Sequence, residues 1–345
     1  MRIVYTGPLV VGDTCELRLR ALTRLGHEVT AVDYLPFANR HGTLARRLQW
    51  RLRIGPMVRA YERALRAALA ARPDVLWVDK GIFVPPGVLT AARVYGVRWL
   101  VHYSPDNYLL RQNASRHLWR GLGRYDVVVT TKRSNVSLLA AAGARRVMLS
   151  GNAFDPEMHR PIVLTDADRA AHAADVSFIG RWEPERERLL DAVAALPIRL
   201  RVRGPGWERA RSRLVRAVCE PGPIYGDDYV RAIAAAKVNL GLLSAWAGDA
   251  ITQRSIELPA CGAFMLAERT GEHRLHFADG EEAVFFEGVD DLVPKVRHWV
   301  AADDERARIA AAGRARCLRS GYAYDDRLRE ILDLVVPPSV GRTAA

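Results

Sequence analysis

No stretch of this 345-residue chain approaches the roughly 18 to 20 consecutive apolar residues that a membrane-spanning helix needs. Its four cysteines, Cys15, Cys219, Cys261 and Cys317, form no CxxC pair, which argues for reduced thiols and against zinc. The start, MRIVYTGPLVVG, has neither the charged opening nor the apolar core of a signal peptide and reads as a strand and turn. A cytoplasmic protein is expected. Repeats and low-complexity tracts are missing too. Acids are scarce in the first half: residues 1–150 hold 24 Lys+Arg against 9 Asp+Glu, while the remainder holds 27 against 30. The hydrophobic content of 49% and charged content of 26% are those of a globular protein, and the length predicts two domains, each with its own core.

The positive excess is densest from Arg40 to Arg72, where nine arginines face a single acid, Glu62. Such asymmetry implies an anionic partner for one domain, or a basic face toward a membrane. Leu44, Leu48 and Leu52 recur every four residues, with Arg46, Arg47, Arg51 and Arg53 elsewhere on the turn and Trp50 breaking the stripe toward solvent. One reading is an amphipathic helix with a solvated basic face. The other is an acceptor-side surface for an anionic glycan, lipid or bilayer headgroups. No nucleic-acid motif accompanies the charge, so nucleic acid is not expected.

Short β-rich runs alternate with helical patterns. In the first half, strands are expected at 2–5, 28–33, 75–78, 99–102, 127–130 and 146–149, with helices at 15–25, 43–53, 56–71, 86–95 and 134–142. The spacing predicts an α/β fold with a parallel sheet covered on both faces. The segment 151–168 carries two prolines and no period, and reads as a linker. Alternation then resumes, with strands at 175–179, 198–202, 238–242 and 264–267, a further β run at 283–285, and helices at 185–195, 207–218, 228–236 and 252–259. Long helical patterns follow at 290–301, 304–320 and 325–335.

The most informative stretch is DAITQRSIELPACGAFMLAERTGEH, residues 249–273. Asp249 stands eight positions before Glu257, which opens an apolar helix-like run ending at Cys261-Gly262. A strand-like AFML and a Gly271-Glu272 turn follow. Upstream, Gly180-Arg181 follows a strand, with Arg186 five residues after Arg181. This layout resembles the donor-sugar site of GT-B glycosyltransferases, and within them the CgeB-like (spore maturation protein) branch related to retaining group-1 enzymes. The likeness covers nearly the whole chain and is strongest from Val238 to Arg327, including Gly313 and Tyr324-x-x-Arg327.

The resemblance implies two Rossmann-like domains facing a cleft. Residues 1–158 would form the acceptor side and 159–322 the nucleotide-sugar domain, with 323–336 a helix crossing back and 337–345 a disordered tail. It implies hexosyl transfer from a nucleotide diphosphate sugar to an acceptor glycan, lipid, protein or metabolite, with retention favoured. No cofactor and no catalytic metal are expected. The DxD-like Asp166-Ala167-Asp168 falls in the linker and reads as chance.

By resemblance, Arg181 and Arg186 meet the diphosphate, unless they are surface arginines at a helix start. Arg254 also faces phosphate. Glu257 accepts from the ribose hydroxyls, an office that suits an acceptor-only group. Asp249 takes the place of an acid that touches the donor sugar, but is one methylene shorter than the usual Glu. Glu272 closes the donor loop. Gly204 lets the backbone approach a base or phosphate and Tyr225 lies near the base, or both are ordinary turn residues. In the first half, Gly12 offers backbone N–H to phosphate, and Asp13 is a base or, by preference, a helix cap. His102 touches the sugar or is a buried structural histidine. Asp106 meets sugar or acceptor, and Thr131-Lys132 line the cleft. Under inversion, Asp13 and Asp106 are the base candidates. Two rivals remain: a non-catalytic nucleotide-sugar binder of the same fold, and a Rossmann oxidoreductase, against which the first turn TGPLVVGD lacks GxGxxG.

Overall fold

The computed structural model describes residues 1–40 and 42–335, so the expected tail at 337–345 lies outside the described residues. The chain forms two compact units: 1–151 together with the segment from Tyr324, and 152–323. The crossing precedes the expected 158/159 boundary. Phe154 already pairs with Ala323 in an isolated bridge, and Asp155 and His159 are buried.

The first unit runs β1 (Arg2–Gly7), α1 (Thr14–Arg24), β2 (Glu28–Asp33), α2 (Leu35–Asn39), α3 (Thr43–Leu52), α4 (Pro56–Leu69) and β3 (Val75–Asp79). It continues α5 (Pro86–Val94), β4 (Trp99–Ser104), α6 (Arg116–Gly121), β5 (Val127–Thr130), α7 (Arg133–Ala141) and β6 (Val147–Leu149). Its six strands are all parallel in the order β2-β1-β3-β4-β5-β6. Every residue of β3 is buried, as a strand covered by helices on both faces requires. Pro56 opens α4, whose Met57, Val58, Tyr61, Leu65 and Leu69 recur at helical spacing and are buried.

α3 departs from the expected arrangement. Trp50, expected outside, points into the unit, edge-on to Phe83 with ring centroids 4.9 Å apart and to Tyr34 at 5.9 Å. The leucine stripe is what faces out. An indole buries more apolar area than any one leucine, and here it finds two aromatic partners.

The second unit runs α8 (Asp166–His172), β7 (Ala174–Ile179), α9 (Pro184–Ala194), β8 (Leu200–Gly204), α10 (Arg213–Val218), β9 (Cys219–Pro221), α11 (Gly226–Ala234) and β10 (Ala236–Gly241). Then come α12 (Arg254–Ala260), β11 (Met265–Glu268), α13 (Gly271–His276), β12 (Val284–Phe286), α14 (Gly288–Ala301) and α15 (Asp303–Arg319). Its sheet is also parallel, in the order β12-β11-β10-β7-β8-β9. Two apolar clusters cover it, one around Val176, Leu240 and Trp207 and one around Ile256, Met265 and Phe285.

The last helix, α16 (Tyr324–Val335), packs in the first unit, as the sequence implied. Tyr324, Leu328, Ile331 and Leu332 are buried. Arg24 of α1 holds Asp325 at 2.7 Å. Among the described residues no helix is long and apolar enough to cross a membrane.

Candidate functional site

In the second unit β7 has β8 on one side and β10 on the other, so the chain leaves β7 and β10 in opposite directions. The carboxyl ends of these neighbours frame the crevice where doubly wound sheets bind ligands. Gly180 and Arg181 follow β7, the loop 242–253 follows β10, and α12 begins at Arg254. Arg181 is exposed, and its side chain makes no hydrogen bond or ion pair among the described residues. Arg254 reaches back toward β7: a Cβ built on Gly180 would lie 3.4 Å from its Nη2. The Arg254 Nε is buried without a partner among the described residues.

Arg186, expected on the diphosphate, is placed otherwise. Its guanidinium is 4% exposed and pairs with Glu183 at 3.0 Å. It donates to the carbonyls of Arg181 at 3.0 Å and Leu243 at 2.9 Å, so it ties the end of β7 to the end of β10. Burial, then the neighbouring Arg254 cation, pulls it down to about 10, while Glu183, Asp249 and Glu268 oppose the shift. Arg186 is therefore matched by three carboxylates. Arg181, exposed after β7, and Arg254, whose Nη2 lies near Gly180, are left without such a match.

Glu257, one turn into α12, is buried. Tyr229 Oη donates to its Oε2 at 2.6 Å, and His159 Nε2 lies 3.7 Å from Oε1. The Asp155 N–H donates to His159 Nδ1 at 2.9 Å, so a neutral His159 carries its proton on Nε2, facing Glu257. Tyr229 thus takes one of the roughly four acceptor positions of the carboxylate, and His159 stands close by without a hydrogen bond to it. Glu268 accepts from the Leu243 N–H at 2.6 Å, and burial raises it above the ordinary carboxylate range. His273 sits between Ser255 Oγ at 2.7 Å and the Glu268 carbonyl at 2.6 Å, bracing the start of α12, and burial lowers it to about 4. Trp182 and Trp246 meet at 5.9 Å, Trp246 half exposed.

Sequence reasoning missed Glu183, Glu268, Tyr229, His159 and His273. They come from five separate segments, and only Glu268 carried a local signal, a charge closing an apolar strand. Gly204 proves necessary for a reason other than a ligand. Its φ is +139°, and a Cβ there would collide with the Gly180 carbonyl, which Trp207 Nε1 bonds at 2.8 Å. Tyr225 is the half-exposed N-cap of α11, and Glu272 stands in the first turn of α13. Asp168 serves a capping box: its carboxylate accepts from the Thr165 N–H at 2.9 Å while Thr165 Oγ1 accepts from the Asp168 N–H.

In the first unit the corresponding crevice lies at the ends of β1 and β3. Asp13 caps α1, accepting from the Thr14 N–H at 2.7 Å, and the Gly12 N–H donates to Glu16 at 3.2 Å. His102, expected at a sugar, is a core residue with no exposed surface. Its Nε2 is 2.6 Å from Tyr108 Oη, its Nδ1 has no partner among the described residues, and a Cβ on Gly81 would fall 2.7 Å from its ring. Burial pushes it down to about 4. Asp106 is half exposed, with Oδ2 3.8 Å from Lys80 Nζ. Lys80 carried no sequence signal, yet it follows β3 with a φ of +63° and sits in a γ-turn closed by the Gly81 N–H on the Asp79 carbonyl at 2.8 Å. Burial alone would lower Lys80, but Asp106, with Asp13 and Asp79 behind it, turns the shift upward. Arg53 of the basic segment is spent inward, donating to the carbonyls of Trp50 and Gln112.

Residues 185–333 match the sequence model of a family described as glycosyl transferase-like. No curated protein matches in a comparison of sequences. Among solved structures, HepE of Anabaena in complex with UDP and glucose is 15% identical at a TM-score of 0.64, over 97% of this chain and 100% of that one. A glycosyltransferase from Rickettsia africae is 13% identical at 0.66, covering 98% and 99%. Sucrose-phosphate synthase from Thermosynechococcus elongatus is 13% identical at 0.64, covering 96% and 98%. At such identities the likeness is one of fold, and the fold is GT-B.

Proposed function

We propose that this chain is a cytoplasmic glycosyltransferase that moves a hexosyl group from a nucleotide diphosphate sugar to an acceptor hydroxyl. The second unit holds the donor and the first meets the acceptor. The bond between the anomeric carbon and the diphosphate oxygen breaks, and negative charge grows on the departing diphosphate. The acceptor oxygen forms the new bond and passes its proton to that diphosphate under retention, or to a carboxylate base under inversion. Arg181 and Arg254 meet that charge without a metal ion. Glu257, aligned by Tyr229 and His159, accepts from the ribose hydroxyls with its remaining positions. Arg186 positions the site, since it anchors the carbonyl of Arg181. Retention is the favoured outcome. Under inversion, Asp106, held beside Lys80, is better placed than Asp13, whose carboxylate is engaged in its cap.

The observation that carries this reading is Arg254. A buried guanidinium nitrogen with no partner costs about 1 to 3 kcal/mol, and a bound anion at the end of β7 would remove that cost. The solved relative with UDP-glucose makes UDP the first nucleotide to try. Calorimetry with UDP, GDP, dTDP and NAD tests the proposal. One nucleoside diphosphate is expected to bind, with affinity falling at least about tenfold in Arg254→Met and in Arg181→Ala. Binding of NAD alone would sink the reading. A second reading, a binder without turnover, is favoured by one residue: Asp249 stands where such sites carry the longer Glu. Release of free sugar or of product by wild type, absent from an Arg181→Ala/Glu257→Ala variant, excludes it.

A further inference from the structure

A groove of about 1230 Å³ opens in the first unit, between α3 and the segment carrying α6. Arg46, Arg47 and Arg51 of α3 line one wall and Arg111, Arg116 and Arg120 the other, with no acid among the lining residues. Beside it α3 turns its apolar arc outward. Leu44 is 82% exposed, Leu48 58% and Leu52 53%, and Ile54 just beyond the helix is exposed as well. At 100° per residue these leucines span an arc of about 80°, and Arg47 and Arg51 border it on one side. The inward face is already filled by Gln49, which accepts from the Met57 N–H at 2.8 Å, and by Trp50.

We infer that α3 and the arginine groove dock this protein on the surface of an anionic phospholipid bilayer. The two features separate the candidate occupants. A polyanionic glycan or nucleic acid would satisfy the arginines and leave Leu44 and Leu48, which lie outside the groove, wet. A second copy of the chain would cover the leucines but bring together two grooves of the same charge. An anionic bilayer answers both: the leucines enter the boundary between headgroups and acyl chains, and the arginines lie over the phosphates with their stems along the apolar surface. The contact is peripheral, and it stands apart from the transfer reading, since no donor or acceptor enters the argument.

Vesicle flotation of the full chain tests it. Wild type is expected to float with vesicles containing phosphatidylglycerol and to stay behind with pure phosphatidylcholine. Arg47→Glu/Arg51→Glu loses binding by about fivefold or more per arginine. Leu44→Ser/Leu48→Ser/Leu52→Ser loses at least about tenfold. These leucines are exposed, so the melting temperature of the serine variant should match wild type, and loss of flotation with an unchanged melt supports the proposal. Failure of wild type to float overturns it, as does equal flotation of wild type and serine variant. Heparin binding that ignores the leucines, with no flotation, would assign the groove to a soluble polyanion. Self-association lost in the serine variant, with no flotation, would assign it to a second copy.

Discussion

Lys80 holds a backbone conformation that a side-chain-bearing residue adopts at a cost of about 1 to 2 kcal/mol. Such strain persists where the surroundings impose it, and it clusters where a side chain is wanted at one place. Lys80→Gly is therefore expected to raise stability in urea unfolding by about 0.5 to 1 kcal/mol while sugar transfer falls at least about tenfold. A variant that gains stability and keeps full activity would show that the ammonium serves nothing. His102 makes a second prediction. Its ordinary value is about 6.5, and the folded protein lowers it to about 4, so as pH falls the unfolded chain takes the proton first. The stability that goes with a neutral ring is complete above about pH 6.5 and is lost as pH drops toward 4, on the order of 3 kcal/mol. His273, lowered to the same value, adds to the slope. Denaturation midpoints across this window should fall, and His102→Gln should flatten the curve. Neither residue could be judged from sequence. A lysine after a strand carries no sign of its φ, and a histidine ending one looks the same whether a ligand or Tyr108 meets it.

At the scale of elements, the join between β7 and β8 is a point of very close packing in the second unit. Gly204 meets the Gly180 peptide with no room for a methyl group, at a φ of +139°. Gly204→Ala should destabilise the second unit by about 3 kcal/mol or more and push the Arg181 loop out of place. A melt within a degree or two of wild type would contradict this. The strands were legible because alternation of β3, β4, β5, β7 and β10 with helices leaves one solution, a parallel sheet buried on both faces. Edges were not. β9 is three residues long and ends in Pro221, and α8 begins inside the proline-rich segment that read as linker. The face of α3 was open too, since Leu44, Leu48 and Leu52 mark an apolar stripe without saying whether protein covers it. Likewise Arg181, Arg254 and Glu257 were visible as a spaced motif. The groups packed around them, Glu183 on Arg186, Glu268 on the Leu243 N–H, and Tyr229 and His159 beside Glu257, depend on which strands become neighbours.

At the scale of the whole molecule, the second unit is one continuous stretch, 152–323, whereas the first needs both ends of the chain. α16 brings it Leu328, Ile331 and Leu332, and the Tyr324 ring lies 5.7 Å from the Arg18 guanidinium, which is itself bonded to buried Asp79 at 2.7 Å. A fragment of residues 152–323 is expected to fold alone, to melt cooperatively in circular dichroism and to bind the same nucleoside diphosphate within about fivefold of the full chain. A fragment of residues 1–151 should lack a cooperative melt until a peptide of residues 324–335 is added. If that shorter piece melts as sharply without the peptide, α16 is ornament.

The same interrupted connectivity sets an order of events on the ribosome. Domains usually mature in the sequence in which they emerge. Here the amino-terminal half must wait, with its buried cation and carboxylate unsealed, while the entire later unit is translated. At 5 to 20 residues per second that delay is roughly 10 to 40 s, a window in which a nascent-chain chaperone has the most to protect.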